Sequence, residues 1–284
     1  MDKIGTSTNI KRTISKEDFH IKKKFGQNFL VDQNILQKIV SFPSITKETL
    51  VIEVGPGLGS LTEHLLKKSK RVLAYEIDND LIPILGETFK ESSLTVIHDD
   101  FLNRDIDNDV ADLKEVFDKV VVVANLPYYI TTPIIMKILE ESKIVKELVI
   151  MTQLEVAKRI TSKPSTKDYN SLSVAIQYKT KAEIVMNVPR TVFIPAPNVD
   201  SAIVKLTIID GLFKKPIDEL HFYKLVRASF GQRRKTLVNN LNSQMNLPKE
   251  YIIETLESLD FDYRIRAENL SVNDFILLSD NLIK

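Results

Sequence analysis

Lys119-Val120-Val121-Val122-Val123-Ala124-Asn125-Leu126-Pro127-Tyr128 is the stretch on which the fold turns. From Val120 the run is apolar and β-branched, the pattern of a strand buried on both faces. It ends at an amide, a proline and a tyrosine. In an open α/β sheet, ligands sit outside the carboxyl ends of the strands, so Asn125 and Tyr128 are expected to project into a site. The Asn125 side-chain oxygen can accept from an N–H. Pro127 has no N–H of its own, and the backbone carbonyls beside it can face a ligand as acceptors. Tyr128 offers a flat face for stacking. Two acceptors and a ring suit the exocyclic amine of adenine or cytosine, or the amide of glutamine. Taken alone, Asn-x-Pro-Tyr is equally compatible with a strand-to-helix turn around a buried tyrosine, so the rest of the chain decides.

Upstream, Thr49-Leu50-Val51-Ile52-Glu53-Val54 runs into Gly55-Pro56-Gly57-Leu58-Gly59-Ser60, and Leu61, Leu65 and Leu66 mark a following helix. The glycines are spaced G-x-G-x-G. The dinucleotide fingerprint is G-x-G-x-x-G, and Ser60 stands where its last glycine or alanine would be. This looser turn opens toward a nucleoside and does not clamp a pyrophosphate on the helix N-terminus. Two further strands end in acids, Arg71–Glu76 and Leu94–Asp100. Gly55, Glu76, Asp100 and Asn125 are separated by 21, 24 and 25 residues, each about one βα unit. Four polar or glycine positions therefore recur at successive strand ends on one edge of one sheet. An acid after the second strand can hold a ribose diol, and one after the third can accept from an adenine amine. A single strand-end acid is usually only a helix N-cap; the regular series is what carries the reading.

A fifth strand, Glu147–Met151, precedes Gln153 and a helix through Val156 and Ile160; residues 161–170 are polar and loop-like. Ser171–Val188 and Val199–Ile209 read as two long strands finishing the sheet antiparallel. Between them, Phe193-Ile194-Pro195-Ala196-Pro197-Asn198 is a proline-stiffened loop whose Phe193 is either core or a second stacking platform. Beyond Gly211 the pattern is helical, with stripes at Phe222, Leu225, Val226 and Phe230 and at Leu237, Val238 and Leu241. The expected architecture is α/β: a doubly wound, Rossmann-like sheet followed by a smaller all-helical domain. The boundaries are a basic arm at 1–30, the sheet domain at 31–211 and the helical domain at 212–284.

The 284 residues suffice for one large and one small domain, and a 43% apolar content supplies a sizeable core. A net charge of +1 excludes a uniformly basic nucleic-acid binder, so any such surface is local. Cysteine is absent, which excludes disulfides and thiolate zinc sites and fits a reducing cytoplasm. No run of 18 apolar residues suggests a membrane span, and the first residues have no signal-peptide core. Two local basic patches stand out. Residues 1–30 hold seven Lys/Arg, among them Lys22, Lys23 and Lys24, against three Asp/Glu. Arg227, Arg233, Arg234 and Lys235 lie in a stretch free of acids. Both are candidate phosphate contacts.

With these stretches in view, the chain resembles the KsgA-type ribosomal RNA adenine dimethyltransferases, which use S-adenosylmethionine. The matching runs are FGQNFL (25–30), EVGPGLG (53–59), NLPY with ITTP (125–133), FIPAPNVDSAIV (193–204) and FGQRRKTLVNNL (230–241). They span nearly the whole chain. The erythromycin-resistance methyltransferases share the fold but typically carry Ile in the second position of NLPY, and they match less well at 193–204 and 230–241. The resemblance implies dimethylation of N6 on two adjacent adenosines of small-subunit (16S) ribosomal RNA within a small-subunit particle, by a monomer needing no metal, with a role in subunit biogenesis. It also implies the residue roles. Asn28 and Leu30 cover the methionine end of the cofactor, Gly55, Gly57 and Asn125 also contribute to its binding, Glu76 binds the ribose hydroxyls and Asp100 the cofactor adenine. Asn125 with the Leu126–Pro127 carbonyls takes the target amine, and Tyr128 and Phe193 sandwich the target base. One departure is Tyr129, where the family usually has asparagine. The rival readings are a large-subunit methyltransferase of the resistance type, a nicotinamide dehydrogenase, against which the glycine spacing and NLPY both argue, and a non-enzymatic assembly factor on the same fold.

Overall fold

The computed structural model describes Lys22 and residues 26–283. These form two compact units, one comprising the chain up to Ala157 with Glu183–Ile208, the other Lys158–Ala182 with the chain from Ile209 onward. Lys158–Ala182 thus pack with the helical unit, so the division is not the single cut at 211 that the sequence suggested.

The first unit is built on β2 (Thr49–Val54), β3 (Arg71–Glu76), β4 (Leu94–His98), β5 (Lys119–Asn125), β6 (Val145–Gln153), β7 (Thr180–Val188, which belongs to this unit from Glu183 onward) and β9 (Ser201–Ile208). Their order across the sheet is β4-β3-β2-β5-β6-β9-β7. β2 pairs parallel with both β3 and β5, β3 with β4, and β5 with β6; β9 returns antiparallel to β6. The chain order reverses between β2 and β5, and that switch point is where an open α/β sheet has its crevice. Val121, Val122 and Val123 are fully buried, as is all of β2. Each buried valine contributes about 1.5–3 kcal/mol, which fixes the strand and so the place where Asn125 emerges. A two-stranded ribbon, β1 (Phe29–Leu30) with β8 (Phe193–Ile194), pairs Leu30 with Phe193 and Phe29 with Ile194.

Helices α1 (Gln33–Ile39), α2 (Ser60–Leu66), α3 (Leu81–Thr88), α4 (Ile106–Ala111), α5 (Thr131–Glu141) and α6 (Leu154–Thr161) link the strands. Their starts are local chemistry. Asp32 caps α1 by accepting from the Asn34 and Ile35 amides, and Asp105 caps α4 through the Asn108 amide. Among the described residues, no helix is long and apolar enough to cross a membrane.

Ser171–Gln177 is a helix, α7, where the sequence suggested the start of a long strand; the strand β7 begins only at Thr180. Leu172, Val174 and Ile176 alternate as in a strand, but Asn170 and Ser173 form a reciprocal capping box that starts a helix. Gln177 then donates to the Ile160 and Ser162 carbonyls at 2.8 Å each.

The second unit buries Tyr169, Val174 and Tyr178 with apolar residues of α8 (Glu219–Ser229), α9 (Leu237–Met245), α10 (Lys249–Ser258) and α11 (Val272–Asn281). Phe222, Leu225 and Leu241 are fully buried, as the stripes predict.

Candidate active site

The carboxyl ends of β2, β3 and β5 and the turn after β4 enclose a cavity of about 180 Å³. The turn after β2 sets its floor. Gly55, Gly57 and Gly59 all have positive φ, at 71°, 59° and 82°, a region that side chains avoid. At Gly57 a Cβ would also lie 3.1 Å from the Phe29 ring, and at Gly59 2.4 Å from the Phe89 ring. The G-x-G-x-G spacing is thus set both by the turn and by two aromatic rings packed on it.

Glu76 is buried, and its carboxylate accepts from the Gly57 amide at 3.1 Å and the Asp78 amide at 2.9 Å. Burial raises its pKa above the usual carboxylate range, and those amides oppose the rise. Glu53 lies deeper. Burial pushes its carboxyl up to about 8, the Thr62 hydroxyl donating at 2.7 Å opposes this, and the Glu76 charge adds to it. Asp100 accepts from the Leu102 amide at 2.9 Å, which caps the turn after β4. A second network braces that turn: Tyr75 donates to Asp109 at 3.0 Å, and Arg104 binds both Asp109 and Asp99.

At the end of β5, Asn125 donates through Nδ2 to the Asn28 carbonyl at 3.1 Å. That contact uses one of the two Nδ2 hydrogens and leaves Oδ1 as an acceptor. Leu126 is buried and lines the cavity. The Pro127 carbonyl already accepts from the Ile130 amide at 3.2 Å and the Thr131 hydroxyl at 3.3 Å. Tyr128 is half-buried, with its hydroxyl 2.7 Å from Ser201 Oγ; burial raises its pKa and the serine contact opposes this.

Asn28, Leu30, Gly55, Gly57, Glu76, Asp100, Asn125, Leu126, Pro127 and Tyr128 therefore meet around one cavity. Phe193 does not line it. It is 3% exposed and packs in the core cluster with Leu30, Val188 and Ile203, with Leu30 also its pairing partner where β8 meets β1. The sequence reading gave Tyr129 no role, yet it lines the cavity, is 61% exposed and lies beside Gly26. Its departure from the asparagine usual in the family was the one signal available.

The basic residues separate. Lys23 and Lys24 lie outside the described residues. Lys22 does not present its charge to solvent alone: it forms ion pairs with Asp78 and Asp80. Arg227 is exposed on α8, and Arg233, Arg234 and Lys235 are exposed on the loop between α8 and α9. Arg233 is also tied to Glu268 at 3.3 Å and to the Lys167 carbonyl at 2.6 Å. Asn240, buried behind this loop, donates to the Ser229 and Gln232 carbonyls and accepts from the Gln232 amide. It holds the basic loop in one shape, a role invisible in the sequence.

Sheet order, glycine turn and strand-end residues together define a Rossmann-like S-adenosylmethionine-dependent methyltransferase fold. The ribosomal RNA adenine dimethylase family matches residues 18–284, and the chain belongs to that family. It is 50% identical to a ribosomal RNA small subunit methyltransferase A of Bacillus pumilus (strain SAFR-032), over 99% of this chain and 98% of the relative. It is 46% identical to the protein so named in Anoxybacillus flavithermus, over 98% and 96%. Among solved structures, a dimethyladenosine transferase from Plasmodium falciparum superposes with a TM-score of 0.75 at 30% identity, covering 88% of this chain and 95% of that one. The 23S rRNA methyltransferase ErmE gives 0.64 at 25% identity, over 89% and 98%.

Proposed function

We propose that the protein transfers methyl groups from S-adenosylmethionine to N6 of two adjacent adenosines in small-subunit ribosomal RNA, giving dimethyladenosine. The observation that carries the reading is the Asn125 amide, turned by the Asn28 carbonyl so that Oδ1 remains an acceptor beside a tyrosine tethered to Ser201.

The residues fit the methyl donor. A turn of three left-handed glycines, an acid at the end of β3 and an acid after β4 suit a nucleoside, and Glu76 keeps lone pairs beyond the two amides it accepts. Glu76 would hold the ribose hydroxyls, Asp100 the adenine amine, and Gly55, Gly57, Asn28 and Leu30 the remainder. When bound, the donor supplies a methyl group on a sulfonium, already a strong electrophile. The protein's task is the nucleophile. The lone pair of an adenine amine is delocalised into the ring. Asn125 Oδ1 and the Leu126 carbonyl hold its two hydrogens, favour a pyramidal nitrogen and stabilise the positive charge that develops there. The Pro127 carbonyl, with both lone pairs committed to the turn, is not the second acceptor. Tyr128 stacks on the base, and its fixed ring reduces the entropy of alignment. The proton leaves to water after transfer.

Arg227, Arg234 and Lys235, with Arg233 where its ties allow, supply phosphate contacts. The close relatives named for the small subunit favour that RNA over the large-subunit target of ErmE. The test is transfer of labelled methyl to undermethylated small-subunit particles and, in parallel, to large-subunit RNA, followed by nucleoside analysis. Dimethyladenosine at two neighbouring positions is expected. Label in large-subunit RNA alone, or none in either, refutes the reading.

A further inference from the structure

The loop after β3 carries a polar knot that the reaction steps above do not use. The Asp78 side chain has no solvent exposure. It accepts from Lys22 Nζ at 2.5 Å, Gln27 Nε2 at 2.7 Å and the Asp80 amide at 3.2 Å. The Lys22 ammonium also meets Asp80 at 2.6 Å, and the Lys22 amide donates to Gln27 Oε1 at 2.9 Å. The lysine charge holds the Asp78 carboxyl below its ordinary range, against the opposing effect of burial.

Two further links matter. The Asp78 amide donates to Glu76 Oε1 at 2.9 Å. At the other end, Asn28 Nδ2 donates to the Gly26 carbonyl at 2.9 Å, and the Asn28 carbonyl accepts from Asn125. Hydrogen bonds and the short backbone run 26–28 thus connect the acid on the cofactor side to the amide on the target side. A fastener for the arm alone would need only the Lys22 ion pairs. This knot reaches both working ends of the cavity.

We propose that Asp78 is a positioning residue: anchored by Lys22 and Gln27, it seats residues 26–28 along the wall of the cavity and thereby sets both Glu76 and, through Asn28, Asn125. The inference rests on the reading of the cavity as a methyl-donor site. Removing the charge on either side loosens residues 26–28, so the donor site and the target site should both suffer, and by the same cause.

The experiment compares the full-length parent with Lys22→Met, Asp78→Asn, the double variant and Lys22→Arg. S-adenosylhomocysteine is titrated calorimetrically, and single-turnover methyl transfer is measured at saturating S-adenosylmethionine. Each charge-removing single change should weaken S-adenosylhomocysteine binding by ~10-fold, and the double variant should be little worse than either, as expected for residues acting as one unit. The single-turnover rate should fall in both even when the donor saturates, and Lys22→Arg should restore both readouts. Additive losses, unchanged affinity, or a full single-turnover rate at saturating donor would overturn the proposal. Lys22 is partly exposed, so its substitution reports even where Asp78→Asn folds poorly. A parent that binds no S-adenosylhomocysteine sinks the cofactor reading itself, and this inference with it.

Discussion

Replacing Asn125 by alanine separates a catalytic group from a turn residue. In the ground state the amide makes one neutral hydrogen bond, to the Asn28 carbonyl at 3.1 Å, and is only half-buried. Its loss should cost about 0.5–1.5 kcal/mol, a shift of a few degrees in melting temperature for a protein of this size. The strand is held independently by Val121, Val122 and Val123, each at 0% exposure, so the fold should persist. Glu76, Asp100 and the glycine turn are untouched, so the donor should still bind to within a few-fold. The transition state is different. There the amine nitrogen gains positive charge, and Oδ1 is one of two acceptors aimed at its hydrogens. Removing one preorganised group of this kind typically costs ~10²–10³ in rate, or about 2.7–4 kcal/mol. The rate effect should exceed the stability effect severalfold, which is the mark of an interaction made in the transition state. The assay is rapid-quench single-turnover methyl transfer with saturating small-subunit particles, alongside a thermal melt and a donor titration. A variant that transfers methyl within about threefold of the parent rate would show that Asn125 only shapes the turn, and the argument for the site would fail with it.

Glu76→Ala should weaken donor binding by up to about 1.5–3 kcal/mol per charge-assisted hydrogen bond lost, and unchanged affinity in a calorimetric titration would remove the ribose assignment. Phe193→Ala should destabilise the first unit by about 3–5 kcal/mol, read as a lowered denaturant midpoint; unaltered stability with impaired RNA capture would instead put its ring at the target base. Charge reversal at Arg234 and Lys235 should lower the salt-dependence slope of particle binding by about one per cation removed while donor affinity stays constant, and an unaltered slope would make the loop a solvated face. Glu53 gives a pH dependence. Its folded pKa, about 8, lies above the ordinary 4.5, so the native state holds a proton that the unfolded chain releases. Its contribution to stability is complete below 4.5 and is lost as pH rises toward and through 8; Glu53→Gln should flatten that decline in urea titrations across the window, and an identical slope in the variant would contradict it.

Much of this protein follows from local pattern alone. A β-branched run declares a buried strand, alternating glycines declare a left-handed turn, and βα-unit spacing puts Gly55, Glu76, Asp100 and Asn125 on one sheet edge. These are short-range properties of backbone and side-chain period, and the sheet and the cavity emerge where they require. What only the tertiary structure decided depends on partners distant in the chain. Leu172, Val174 and Ile176 alternate like a strand, yet the Asn170–Ser173 capping box and the carbonyls at Ile160 and Ser162 make that segment a helix. Phe193 reads equally as core or as a platform until it is found buried, paired with Leu30. Lys22 reads as a phosphate contact until Asp78, 56 residues away, is found to hold it. The Asn125 amide has two chemically opposite ends, and which one faces the cavity is set by a carbonyl 97 residues upstream. Periodicity carries no information about such pairings; they exist only once the sheet has brought the two segments together.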